Sequence, residues 1–169
     1  MKMAEHSGGI LAYKYVNGKL MVMLAHPGGP FWAKKDEAAW SIPKGLQEEE
    51  ETILDTAKRE FEEETGCKIE KDLLELGTIK QQSKKQITIF AVEMDIDVNE
   101  VKSNLFEMEW PPKSGNMQKF PENDKAQWFT IEEAKKKIFK GQKGFLDKLV
   151  KFLNYQETKE EYTQMSLFE

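Results

Sequence analysis

Cysteine occurs once in this chain of 169 residues, at Cys67, so no internal disulfide can form. A reducing compartment is then the default, and the cytoplasm is the expected location. No stretch approaches the roughly 18 apolar residues that a membrane-spanning helix requires, so no membrane partner is expected. Residues 1–6 hold no apolar core of signal-peptide length. Arginine is nearly missing: of the 25 Lys and Arg residues, Arg59 alone is arginine. A net charge of −5 without a basic stripe argues against bulk nucleic-acid binding. Small anionic partners stay compatible wherever cations reverse the sign locally. No internal repeat stands out.

What is present is an ordinary globular composition, 39% apolar and 33% charged, enough for one domain with a full core. The domain is expected over residues 1–157, with a charged, frayed tail over 158–169. Residues 7–15 and 19–25 read as strands joined by an Asn17-Gly18 turn, and the run from His26 to Pro30 breaks the second. Residues 77–82 and 87–94 read as a further strand pair. The stretch 104–125, with Pro111, Pro112, Gly115 and Pro121, reads as a polar, irregular loop. Trp128-Phe129 is a short strand, and Thr130 with Glu133 forms a capping box for a helix over 131–139. A last helix carries an apolar stripe of Phe145, Leu149, Phe152 and Leu153. Strands interleaved with helices imply an α/β fold with a mixed sheet covered on both faces.

The densest stretch runs from Gly45 to Cys67. Gly45 is followed after five residues by Glu51, and after seven more by Arg59-Glu60-Phe61-x-Glu63-Glu64-x-Gly66-Cys67. Residues 52–65 favour a helix, with Thr52 as N-cap, Asp55 in a shortened capping box and Gly66 as left-handed stop. On that helix Ile53, Leu54, Ala57 and Phe61 share one arc, the stripe to be buried. Glu60 and Glu64 project about 20° either side of Ile53, beside the stripe, with Glu63 further round. Carboxylates crowded at a buried edge repel and lose solvation unless a cation compensates. A hard divalent ion with oxygen ligands is that cation, Mg²⁺ suiting phosphate substrates best and Mn²⁺ being possible. Glu51 is placed to hold the Arg59 guanidinium in a bidentate pair, a geometry that lysine cannot make. The alternative for Arg59 is an ordinary helical ion pair with Glu63. Gly45 ends a short strand and Pro-containing turn, where a glycine lets a backbone carbonyl approach a metal.

The spacing from Gly45 to Cys67 resembles the signature box of the Nudix hydrolases at every position. The resemblance implies an α/β/α sandwich and a Mg²⁺-dependent enzyme that cleaves the diphosphate linkage of a nucleoside diphosphate derivative. It further implies Glu60, Glu63, Glu64 and the Gly45 carbonyl as metal ligands. Arg59 and Glu51 would act as orienters, with the general base among Glu60, Glu63 and a loop glutamate. The lead-in from Trp40 to Gly45 is similar to that of bacterial nucleoside-triphosphate pyrophosphohydrolases, and also to that of dinucleoside polyphosphate hydrolases. For the substrate, a small-molecule nucleotide, the candidates are Lys44 for phosphate, Trp32 and Trp110 for base stacking, and Glu107 or Glu109 as a carboxylate from outside the box. For each tryptophan the competing role is packing. A non-catalytic nucleotide sensor of the same fold is the alternative function, and such relatives usually lose box carboxylates, of which none is lost here. The chain is expected as a monomer or homodimer.

Overall fold

The structure, a computed structural model, describes residues 5–156. The charged tail expected at 158–169 lies outside the described residues, as do residues 1–4. Two long strands, β1 (His6–Val16) and β2 (Lys19–Pro27), form the expected hairpin. Asn17 and Gly18 take φ of 52° and 80°, the left-handed pair that a two-residue hairpin turn demands. A short strand β3 (Lys44–Leu46) pairs with β1, Gly45 lying opposite Gly8. The box helix α1 (Ile53–Thr65) follows, capped by the Thr52 hydroxyl, which accepts from the Asp55 amide, and closed by Gly66 at φ 79°.

Strands β4 (Leu74–Lys80) and β5 (Gln86–Glu93) form a second hairpin. Beyond them lie β6 (Leu105–Glu109), β7 (Met117–Pro121) and β8 (Asn123–Thr130). Helices α2 (Ile131–Lys137) and α3 (Lys143–Phe152) complete the order, α2 starting from the Thr130–Glu133 capping box. The main sheet runs β4-β5-β1-β2-β8, with β3 also on β1. It is mixed: β1 and β5 are parallel, the other pairs antiparallel.

Alternation along the strands builds two cores. Leu11, Leu24, Ile89 and Phe129 face one side, where they meet Ile131, Phe145, Leu146 and Leu149 of α2 and α3. Ile10, Ala12, Met23 and Phe90 face the other, where they meet Ala57 and Phe61 of α1. Side chains on successive residues point to opposite faces, so central strands read as continuous apolar runs and are buried on both sides. The α/β/α sandwich follows from that arrangement.

Two expectations need correction. The stretch 104–125 is a two-stranded antiparallel sheet, β6 with β7, running directly into β8. Pro111, Pro112 and Gly115 lie at the turn, where Trp110 donates its amide to Asn116 across the ends; Phe106 pairs with Phe120 lower down, and Pro121 ends β7. Phe152, the last residue of α3, leaves the buried stripe and is 55% exposed, while Leu153 beyond it still packs against the core.

Candidate active site

Arg59 is the hub of the box. Its Nε and Nη2 donate to the two oxygens of Glu51 at 2.8 and 3.0 Å. Nη1 donates to Glu60 Oε1 at 2.8 Å and to Glu63 Oε2 at 3.2 Å, while Nη2 also reaches the Leu46 carbonyl at 3.0 Å. The planar fork thus serves the bidentate pair and the helical ion pair together. Glu51 is held further by the Thr56 hydroxyl at 2.6 Å and the Glu48 amide. The hydrogen bonds from Arg59, then that from Thr56, lower its carboxyl to about 2. Glu51 is therefore a fixed anion.

Glu60 and Glu64 are in the opposite condition. Burial raises the Glu60 carboxyl against the pull of Arg59. Burial also pushes Glu64 up to about 8, with the charges of Glu60 and Glu122 adding to the rise and a hydrogen bond from Asn123 opposing it. Gly45 lies so close beneath Glu60 that a Cβ there would overlap the carboxylate. A glycine is needed at this point for the helix to bring Glu60 down onto β3. Lys44, next in β3, is lowered by burial and feels the compensating charges of Glu64 and Glu60.

Among the described residues no three acidic, histidine or cysteine side chains close into a metal cage. Arg59 gathers Glu60 and Glu63, and Glu64 is turned to Asn123 Nδ2 at 3.0 Å. The other oxygen of Glu64, Oε2, is buried without a hydrogen-bond partner. Such an atom is costly unless something not of the protein satisfies it. Hard carboxylate oxygens around an orphaned one suit a hard divalent cation, so the donor set fits the expected group.

Beside the carboxylates lies a cleft of about 450 Å³ lined by Gly28, Gly29, Phe31, Trp32, Phe106, Met108 and Glu122. Phe31 and Trp32 meet edge to face at 5.3 Å, with the Lys35 ammonium over both rings. Phe106 and Met108 come from the inner face of β6.

A family model for the NUDIX domain matches residues 9–149. The chain belongs to the Nudix family. With every box carboxylate present, it is a pyrophosphohydrolase of that family. Among solved structures, a C. elegans Ap4A hydrolase in a binary complex is similar at a TM-score of 0.63 and 19% identity, covering 88% of this chain and 98% of that one. The NUDIX domain of Shewanella oneidensis NrtR, complexed with ADP ribose, has a TM-score of 0.62 and 13% identity, with 90% of each chain covered. A putative NUDIX hydrolase from Listeria monocytogenes has a TM-score of 0.61 and 17% identity, covering 88% and 94%. At these identities the likeness is one of fold. No curated protein sequence matches the chain. No helix among the described residues is long and apolar enough to cross a membrane.

The structure brings Glu51, Arg59, Glu60, Glu63, Glu64, Gly45 and Lys44 together and sets Trp32 in the adjoining cleft. Trp32 also packs edge to face on Phe139 at 5.3 Å, so stacking and anchoring coexist in one side chain. Trp110 follows the last residue of β6, at the hairpin end, and lies outside the cleft lining. Glu107 and Glu109 are exposed on the outer face of that strand, turned away from the cleft. Among the glutamates outside the box, Glu122 lies beside these carboxylates and lines the cleft, its carboxyl raised by lost solvation and by the charge of Glu63. The sequence does not reveal it because residues 104–125, rich in proline, glycine and polar side chains, read as irregular. The strand alternation Phe106-x-Met108-x-Trp110 was the signal that could have shown which glutamates point away.

Proposed function

We propose that this Nudix protein hydrolyses a diphosphate linkage in a nucleotide, a nucleoside triphosphate or a dinucleoside polyphosphate, with Mg²⁺ and, in its place, Mn²⁺. The observation that carries the reading is the buried, unpartnered Oε2 of Glu64 amid Glu60 and Glu122. Glu60, Glu63, Glu64 and the Gly45 carbonyl would hold the ion. When bound, it supplies charge neutralisation for the diphosphate and activation of water.

The chain's own residues do the rest. Phe31, Trp32, Phe106 and Met108 give the base apolar faces to lie against. Lys44, in the strand beside the box, faces the phosphates as a point charge. A carboxylate, Glu60, Glu63 or Glu122, takes the proton of the attacking water as its oxygen bonds to phosphorus. The bridging P–O bond breaks in line, and the leaving phosphate departs with the electron pair. Arg59, tied to Glu51, keeps Glu60 and Glu63 in place through the step. The Ap4A hydrolase and the ADP-ribose-bound domain that share the fold agree with this substrate class.

Glu64→Gln keeps the shape and deletes the charge. It is expected to lower Mg²⁺-dependent release of phosphate or pyrophosphate at least about 100-fold across a panel of nucleoside triphosphates, dinucleoside polyphosphates, oxidised nucleotides and nucleotide sugars. A variant as fast as the parent would refute the metal role. A parent that binds these nucleotides but releases no product would make the domain a sensor.

A further inference from the structure

One polar contact to the box carboxylates comes from a residue outside the box. Asn123 opens β8, and its Nδ2 donates to Glu64 Oε1 at 3.0 Å, leaving Oε2 as the free oxygen. A carboxylate with one oxygen tied has its second aimed; with neither tied, the side chain has its full rotamer freedom.

Asn123 is itself held. Its backbone amide donates to Ser103 Oγ at 3.0 Å, and the preceding Glu122 amide donates to the Asn104 carbonyl at 2.8 Å. Residues 102–104 are in turn laced onto the last turn of α1. The Lys102 amide donates to the Thr65 carbonyl at 3.0 Å and the Asn104 amide to the Glu63 carbonyl at 2.9 Å. On the other side the Gly28 amide donates to the Glu122 carbonyl at 2.8 Å, fastening the same point to the floor of the cleft. Glu122 and Asn123 thus stand between the cleft and the box, one side chain toward each.

We propose that Asn123 is a positioning residue for the metal centre: its amide aims Glu64 so that Oε2 is presented to the cation. This inference rests on the metal reading above. Its consequence is that cation affinity depends on an uncharged residue from β8, about 60 positions along the chain from the box.

The test uses the full chain and Mn²⁺ binding by calorimetry without nucleotide, alongside kcat and KM for the nucleotide turned over fastest. Asn123→Ala and the isosteric Asn123→Leu are each expected to weaken Mn²⁺ binding about 10- to 100-fold. The kcat at limiting Mn²⁺ falls with it and recovers at saturating Mn²⁺, while KM stays within about twofold; a merely structural role would not give that recovery. If Asn123→Ala fails to fold, judged by its circular dichroism melt, Asn123→Leu decides alone. Parent-like Mn²⁺ binding in the folded Asn123 variants overturns the inference and leaves the metal reading standing. A parent that binds no Mn²⁺ overturns both.

Discussion

Glu64 is the residue on which chemistry and stability pull in opposite directions. Its carboxyl stands near 8 in the folded protein against an ordinary 4.5, chiefly because burial disfavours the anion. The sign follows from proton counting. Between about pH 4.5 and 8 the folded state keeps a proton that the unfolded state has lost, so stability falls as pH rises through that window. At ~1.4 kcal/mol per unit the loss is on the order of a few kcal/mol. Urea unfolding of the metal-free protein from pH 5 to 8.5 should show this decline, and Glu64→Gln should flatten it. Mg²⁺ should restore stability most at the alkaline end, where no proton competes. A parent and a Glu64→Gln variant with parallel pH curves would contradict the assignment. Arg59 shows the complementary case. Its fork holds Glu51 low and fixed as a permanent anion, while Nη1 draws Glu60 and Glu63 together beside it.

At the scale of elements, the hairpin β6–β7 is the piece that makes the box into a site for something larger than phosphate. Its inner face supplies Phe106 and Met108 to the cleft, and its outer face carries Glu107 and Glu109 into solvent. Phe106→Ala and Met108→Ala should each raise KM about three- to tenfold with kcat within about twofold, since they remove binding that ground and transition states share. Glu107→Ala and Glu109→Ala should leave both constants unchanged. Steady-state kinetics on the four variants checks this, and a large kcat loss at Glu107 or Glu109 would return the outside carboxylate to the loop. The hairpin escaped sequence reading for a physical reason. A two-stranded ribbon buries one face only against a neighbour distant in sequence, here the Phe31–Trp32 loop, so its local composition stays polar and turn-rich.

For the whole molecule, two cores on opposite faces of one sheet divide the labour. Phe145 is fully buried on the α2–α3 side, and Phe61 is fully buried beneath the box helix. Phe145→Ala and Phe61→Ala should each cost about 3–5 kcal/mol in urea unfolding. Only Phe61→Ala should also lower kcat, by tenfold or more per folded molecule, because α1 sets Glu60, Glu63 and Glu64. Equal kcat losses in both variants would show the two cores to be coupled rather than separate. The division also explains which elements were legible. Residues 7–15 and 19–25, the Thr52 cap, the Gly66 stop and the Thr130–Glu133 box are local devices, and each appears where the pattern put it. Strand ends moved by a few residues, and the expected pair Trp128-Phe129 proved to be the end of an eight-residue strand.

The order of residues from Gly45 to Cys67 settled by itself the box helix, its caps and the side on which its glutamates lie, because each depends on neighbours within a turn or two. The fork between Arg59 and Glu51 was legible for the same reason. What only the tertiary structure decided is where distant segments meet that helix: Glu122 beside the cleft, Asn123 on Glu64, and Phe106 with Phe31 lining one cleft. Those contacts arise from strand pairing over many tens of residues, and pairing is chosen by which apolar faces find each other, a choice that no local pattern encodes.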